Sequence, residues 1–391
     1  MLHLHGRGRQ RWPAVLFLLS FCLLCWPALF SPAMAALAVG QPSAIRLSSL
    51  PGGSSTGSGA RGLQVFVEPQ AGEQVVLQAI AGARRSLAIE IYLLTDRRVI
   101  QALEAAAGRG LTVRVMLEPH PYGGGSPART IQQLEAAGVE ARYTNPAFPL
   151  THAKLMIVDG LRAYIMTGNL TRAALGGNGR VANREYGIID PLPEDVSSLS
   201  ALFEADWQRA EAVFPGNNAH LVISPGNARA ALQGLVAAAR QTLLVEEEEM
   251  QDQQIEGALV AAQRRGVKVE VILPASRGEN DPNAEGIAAL LQGGVAVRED
   301  GQLYMHAKML LVDGQEAFVG SENCSPSGLE RNREVGILVS DEAVLATLQR
   351  TFEADWQVAQ TLSLRVQGRQ GEADPWPGWL TSPQRALTWD R

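Results

Sequence analysis

A ten-residue phrase occurs twice in this chain. It reads Thr-His-Ala-Lys-Leu-Met-Ile-Val-Asp-Gly from Thr151 and Met-His-Ala-Lys-Met-Leu-Leu-Val-Asp-Gly from Met305. Each copy is followed by an asparagine, Asn169 or Asn323, and then by Asn-Arg-Glu, ending at Glu185 or Glu334. Two imidazoles and two ammoniums, brought together, suit a phosphodiester. One of His152 and His306, neutral, could attack phosphorus, and the other, protonated, could deliver a proton to the leaving oxygen. Lys154 and Lys308 would neutralise the non-bridging oxygens as charge builds in the transition state. That chemistry needs no cofactor, and no spacing in the chain resembles a metal site.

Lysine usage sharpens the pattern. The chain has three lysines, Lys154, Lys268 and Lys308, against 31 arginines. Two of the three stand two residues after a histidine, where a compact ammonium is not replaceable by a planar guanidinium.

The elements that must position these groups also repeat. Ala83 to Glu90 matches Ala239 to Glu246, Arg109-Gly110 matches Arg265-Gly266, and Phe203 to Gln208 matches Phe352 to Gln357. This is a domain-sized duplication, not a solenoid period. Within a half, Val75, Val76, Ala79, Ile80 and Ala83 have helical spacing, as do Val99, Ile100 and Leu103, with Gly108 and Gly110 closing the second helix. Leu87 to Leu94 and Leu111 to Leu117 read as strands. The His-x-Lys segments also read as strands, each placing its histidine and lysine on one face. Asp159-Gly160 reads as a hairpin turn. The expected fold is α/β: two pseudo-twofold halves, each an α/β/α unit with a mixed sheet, and an active site at their interface. The halves are expected at 63–213 and 214–365.

The pattern His-x-Lys-x4-Asp followed by Gly-Ser-x-Asn, present twice, resembles the phospholipase D superfamily over nearly all of residues 63–361. The second copy fits closely: His306, Lys308, Asp313, Gly320, Ser321 and Asn323. The first keeps His152, Lys154, Asp159 and Asn169 but has Met166-Thr167 for Gly-Ser, and Thr167 is expected to replace the serine hydroxyl. The resemblance implies a phosphohistidine intermediate on His152, with His306 as the acid. It also implies a carboxylate orienting each histidine. Glu185 and Glu334 match that place, with Glu334 set against His306. Asn169 and Asn323 are expected to donate to a phosphate oxygen. Asp159 and Asp313 precede glycines at turns, and their role is expected to be structural.

Other features carry less. Glu246 to Glu249 is a charge run whose default is solvation, although one carboxylate is expected at the cleft. Tyr122 to Ser126 reads as a mobile loop, with His120 beside it as a loop residue. Trp207 and Trp356 are expected core anchors. Trp376, Trp379 and Trp389 lie in a proline-containing tail at 366–391, where contact with a membrane interface is an expectation.

The N-terminus reads as a secretory leader. Arg7, Arg9 and Arg11 precede the apolar run Ala14 to Trp26, and Ala33-Met34-Ala35 is a small-x-small cleavage site. The run is short for the roughly 20 residues that span a bilayer. Cleavage near Ala35 would leave 31 basic against 40 acidic residues, a formal charge of −9. One cysteine, Cys324, would remain, so no intramolecular disulfide could form. Residues 36–62 read as a flexible linker. The combined expectation is an exported, metal-independent phosphodiesterase of phospholipase D type that hydrolyses or transfers a phosphatidyl group. Its partners would be a phospholipid and, transiently, a membrane surface. The acidic balance disfavours nucleic acid, which is held by basic surface. A cardiolipin synthase-like phosphatidyl transferase, a secreted nuclease and a non-catalytic lipid- or polyanion-binding module are the alternatives.

Overall fold

The computed structural model describes residues 59–122, 125–177, 182–210, 218–276, 278 and 281–363. The expected leader, most of the linker and the tail lie outside the described residues.

The first half runs β1 (Gln64–Glu68), α1 (Gln74–Gly82), β2 (Ser86–Ile91), α2 (Arg97–Gly108), β3 (Thr112–Leu117), α3 (Pro127–Ala136), β4 (Glu140–Tyr143), β5 (Lys154–Val158), β6 (Arg162–Met166), β7 (Asn183–Asp190) and α4 (Pro193–Trp207). The second runs β8 (Leu221–Ser224), α5 (Ala228–Ala238), β9 (Thr242–Glu247), α6 (Gln253–Arg264), β10 (Lys268–Pro274), α7 (Ala284–Gln292), β11 (Ala296–Asp300), β12 (Tyr304–Met305), β13 (Lys308–Val312), β14 (Glu316–Gly320), α8 (Pro326–Glu330), β15 (Glu334–Val339), α9 (Glu342–Val358) and β16 (Gln360–Thr361). The first sheet is ordered β1-β7-β6-β5-β2-β3-β4 and the second β16-β11-β10-β9-β13-β14-β15-β8. In each, the helix-connected strands pair in parallel and the hairpin strands pair antiparallel, as two mixed sheets require.

Local chemistry explains the punctuation. Asp96 caps α2 by accepting from the backbone N–H of Arg98 and Val99, and Asp252 caps α6 in the same way through Gln254 and Ile255. Asp159 and Gly160 have φ of 57° and 64°, Asp313 and Gly314 53° and 65°. Two consecutive left-handed residues are what a tight hairpin between right-twisted strands needs. The aspartates do more than tolerate that geometry. The Asp159 carboxylate accepts from the backbone of Arg84, Arg85 and Ser86, and Asp313 from Arg240, Gln241 and Thr242. Each therefore ties its hairpin to the start of the neighbouring strand. Partial burial pushes the Asp159 carboxyl up, but the three N–H donors prevail and hold it below its ordinary value.

Two sequence expectations are corrected here. The linker ends earlier than residue 62: Gly59 donates to Ser340 Oγ at 3.0 Å and Ala60 to the Leu338 carbonyl at 2.9 Å, so 59–62 are held against β15. The histidines are also not on strands. β5 and β13 begin at Lys154 and Lys308, and His152 and His306 sit just before them.

What precedes each histidine is the join between the halves. β12 runs parallel to β7, pairing Tyr304 with Asn183 and Met305 with Arg184. The reciprocal bridge pairs Thr151 with Arg333. Each half thus lays the segment leading to its histidine against the other half. The arginines of the two Asn-Arg-Glu elements lock this arrangement. Arg184 Nη2 donates to Asp355 Oδ1 at 2.7 Å. Arg333 Nη2 donates to Asp206 Oδ1 at 3.2 Å, and its Nε lies 2.8 Å from Oδ2 as an ion pair. The duplicated Phe-Glu-Ala-Asp-Trp-Gln helix ends and the duplicated Asn-Arg-Glu elements are therefore partners across the interface. Around them a shared core forms from Ile165, Ile188, Leu199, Val319, Ile337 and Leu348. Trp207 is buried on it, stacked on Phe203 with Arg142 over its ring at 3.7 Å; Trp356 is half-buried against Phe352.

Candidate active site

The crossing of chain segments at the join brings His152, Lys154, His306, Lys308, Thr167, Glu185, Ser321 and Glu334 into one buried cluster. Its wiring is reciprocal. His152 Nδ1 is 3.0 Å from Glu334 Oε2, and His306 Nδ1 is 2.9 Å from both Glu185 oxygens. Each histidine is oriented by the other half's carboxylate. The expectation that Glu334 would meet His306 is corrected: spacing along one half cannot show that the Asn-Arg-Glu strand feeds the opposite histidine, and the β12–β7 crossing decides it. With a carboxylate on Nδ1, that nitrogen carries the proton in the neutral ring and Nε2 is freed to react.

The carboxylates are themselves fixed. Glu185 accepts from Thr167 Oγ1 at 2.7 Å and Asn183 Nδ2 at 2.9 Å; Glu334 accepts from Ser321 Oγ at 2.7 Å and Asn332 Nδ2 at 3.2 Å. Thr167 and Ser321 also accept from the backbone of Tyr186 and Val335, at 2.9 Å and 3.0 Å. Thr167 thus makes the same contacts as Ser321. Met166 for glycine has a packing reason. Over Gly320 lies the Glu322 carboxyl, so close that a Cβ would meet it at 2.3 Å. In the first half the matching positions exchange sizes: Met166 is large and Gly168 small. A Cβ on Gly168 would meet Glu185 at 2.8 Å.

The lysines are buried and lean on the backbone of their own histidines. Lys154 Nζ donates to the His152 carbonyl and Lys308 Nζ to the His306 carbonyl. Burial, with Lys308 adding to it, pulls Lys154 down to about 7 against the opposing charge of Glu334. Lys308 moves the other way: burial is outweighed by Glu248 and Glu185, which raise it. His152 is held below its ordinary value by burial, with Lys154 and Lys308 adding to the effect and Glu334 opposing it. Asn169 and Asn323 each carry a buried Oδ1 with no partner among the described residues. Neither side-chain oxygen is therefore engaged in capping local backbone.

Sequence reasoning did not assign two cleft residues. Tyr92 sets its ring edge-on to His152 at 4.7 Å, with Lys154 Nζ 5.3 Å from the ring centre. Burial pushes its phenol up to about 12. At the matching place in the second half stands Glu248, whose Oε2 accepts from Lys308 Nζ at 2.7 Å and lies 3.3 Å from His306 Nε2. Solvation of the 246–249 run is corrected: Glu246 and Glu247 are buried in β9, and Glu248 is the carboxylate at the cleft. The clue lay in the repeat, where Ile91-Tyr92-Leu93 of the first half stand opposite three glutamates, Glu247 to Glu249, in the second.

A family model described as cardiolipin synthase, PLD-like domain, matches residues 76–207 and 232–356. Cardiolipin synthase B of Escherichia coli K12 is 27% identical over 324 residues, 71% of this chain and 77% of that protein. The minor cardiolipin synthase of Bacillus subtilis is 24% identical over 259 residues, 60% of this chain and 65% of that protein. Among solved structures, phosphatidylserine synthase of Haemophilus influenzae Rd KW20 shares the fold with a TM-score of 0.57 at 13% identity, covering 77% of this chain and 87% of that one.

Proposed function

The chain belongs to the cardiolipin synthase, PLD-like domain family of the phospholipase D superfamily, and on that premise we propose that it transfers a phosphatidyl group to an alcohol acceptor through a phosphohistidine on His152. The observation that carries this reading is the reciprocal wiring: two histidines, each fixed by the other half's carboxylate, beside two buried lysines. His152 Nε2 forms a bond to phosphorus as the bond to the leaving oxygen breaks, and that oxygen takes its proton from His306 Nε2. In the second step the acceptor hydroxyl returns a proton to His306, its oxygen bonds phosphorus, and the N–P bond breaks. Lys154, Lys308, Asn169 and Asn323 hold the phosphoryl oxygens as charge develops.

Transfer is favoured over hydrolysis because the relatives named above are synthases. Export remains the reading of the leader at 1–35, and it would put this chemistry on the outer side of a membrane. Among the described residues no helix is long and apolar enough to cross one. The test is incubation of the full chain with phosphatidylglycerol vesicles and EDTA, with and without added glycerol or a second alcohol. A new diester with the added alcohol is expected. Phosphatidic acid alone would make the enzyme a hydrolase, and cleavage of DNA with no lipid product would make it a nuclease.

A further inference from the structure

Resting on the proposed reaction, we infer that Glu248 is the positioning residue that makes His306, and not His152, the acid. The argument starts from the pseudo-symmetry. Both histidines have a carboxylate on Nδ1 and a lysine two residues later, so nothing in the duplicated motif distinguishes them. What differs is the group at Nε2, the nitrogen that must meet the substrate. His306 has the Glu248 carboxylate 3.3 Å away. His152 has no second carboxylate within ion-pair distance among the described residues, and the ring of Tyr92 packs T-shaped against it with centroids 4.7 Å apart. Glu185 is hydrogen-bonded to Nδ1 and Glu248 is an ion pair beside Nε2; a carboxylate facing each ring nitrogen is matched best by the doubly protonated cation, which presents an N–H to both. An imidazole between one carboxylate and a phenol ring makes its one bond as the neutral tautomer.

Glu248 is held in that place. Asn283, at the start of α7, donates to the Glu248 carbonyl at 2.9 Å and accepts from Met250 N at 2.9 Å. Tyr304, in the crossing strand β12, donates to Glu248 Oε1 at 3.0 Å. The other charged groups facing His306 are Glu185 from β7 and Lys308 from β13, whose Nζ is 3.4 Å from His306 Nδ1. Burial works against the Glu248 charge, but His306 and Lys308 prevail and keep its carboxyl far below the ordinary range. It is therefore an acceptor at any working pH.

The contact also bears on the second step. Giving a proton to the leaving oxygen leaves a lone pair on His306 Nε2 facing the carboxylate. That neutral state is the one Glu248 disfavours, so the same contact drives His306 to recover a proton from the acceptor.

The experiment uses the full chain with isotope-labelled histidine, in wild type, Glu248→Gln and Glu248→Asp. In wild type His306 is expected to keep its Nε2 proton to a pH higher by about one unit than in Glu248→Gln, the size of one lost close ion pair. Aspartate should restore part of the shift. Turnover is read in parallel on two phosphodiesters, one with an alkyl alcohol and one with p-nitrophenol as leaving group. Loss of acid function should lower kcat/KM for Glu248→Gln by about 10²-fold on the first, near the small end of general-acid effects. On the second, whose leaving group needs no proton, the loss should shrink to a few-fold. An unmoved His306 titration, or an equal loss on both diesters, would overturn the inference. So would a gain in kcat/KM, because Glu248 would then merely occupy the phosphate place. If wild type turns over neither diester, the proposed reaction fails, while a shifted titration still supports the His306–Glu248 pairing.

Discussion

The two halves agree where they join each other and in the histidine, lysine and asparagine pairs, and differ at several residues packed around those pairs. Arg184–Asp355 and Arg333–Asp206 are the same contact made twice, as are Thr167–Glu185–His306 and Ser321–Glu334–His152. Tyr92 and Glu248, Met166 and Gly320, Gly168 and Glu322 are not equivalent. A duplicated site gains convergence from symmetry, but a displacement in two steps needs unlike partners, one neutral and one charged. These differences fall on residues that touch or pack beside the reacting groups, while the reacting groups themselves and the frame that holds them are repeated.

The comparison is tested most severely at the histidines. His152→Ala and His306→Ala should each lower kcat/KM by at least about 10²–10⁴-fold in assays containing EDTA, with circular dichroism unchanged. Near-full activity in either variant would mean that the cleft is not one shared site. The frame is tested by stability. Arg333 and Asp206 are fully buried, and removing one partner strands a buried charge. Asp206→Ala and Asp355→Ala should each destabilise by about 3–5 kcal/mol, read by denaturant unfolding. A loss at one position only would show that the two joins are not equivalent.

Smaller effects separate the carboxylates. Glu185→Gln should weaken the acid step, with the loss largest for a poor leaving group, whereas Glu334→Gln should slow formation of the phosphoenzyme whatever the leaving group. Identical leaving-group dependence in the two variants would contradict the crossed wiring. The pH profile is the mildest test. His152 must be neutral to attack and is held below its ordinary value by burial, so activity should persist on the acid side of the usual imidazole range. Lys154 must be charged; pulled down to about 7, it keeps its proton below that pH and loses it above. The alkaline limb of kcat/KM should therefore fall near pH 7. The limb of kcat should lie higher, because a bound phosphate favours the ammonium.

Much of this was legible in the sequence. The duplication, the α/β halves and the turn role of Asp159 and Asp313 follow from residue type and spacing, whereas a carboxylate for each histidine and a hydroxyl at Thr167 are implied by the family resemblance. Periodicity could not show which histidine each carboxylate meets, because that depends on a crossing between halves separated by some 150 residues of chain. Nor could it place His152 and His306 ahead of their strands, since the apolar run that marks β5 and β13 also fits a strand starting two residues earlier. Glu248 was hidden inside a run of four glutamates whose burial only the β9 packing reveals. Residues 59–62 read as linker because their composition is polar and glycine-rich, yet backbone hydrogen bonds to β15 need no apolar side chain.

The central claim is that the chain runs one site with two unlike histidines, and the most direct measurement is the location of the phosphoryl group. The full chain is mixed with a p-nitrophenyl phosphodiester, quenched rapidly and mapped by mass spectrometry, in wild type, His152→Ala and His306→Ala. The adduct should sit on His152 in wild type, accumulate there in His306→Ala and be absent from His152→Ala. An adduct found on His306, or an equal share on both histidines, would contradict the account.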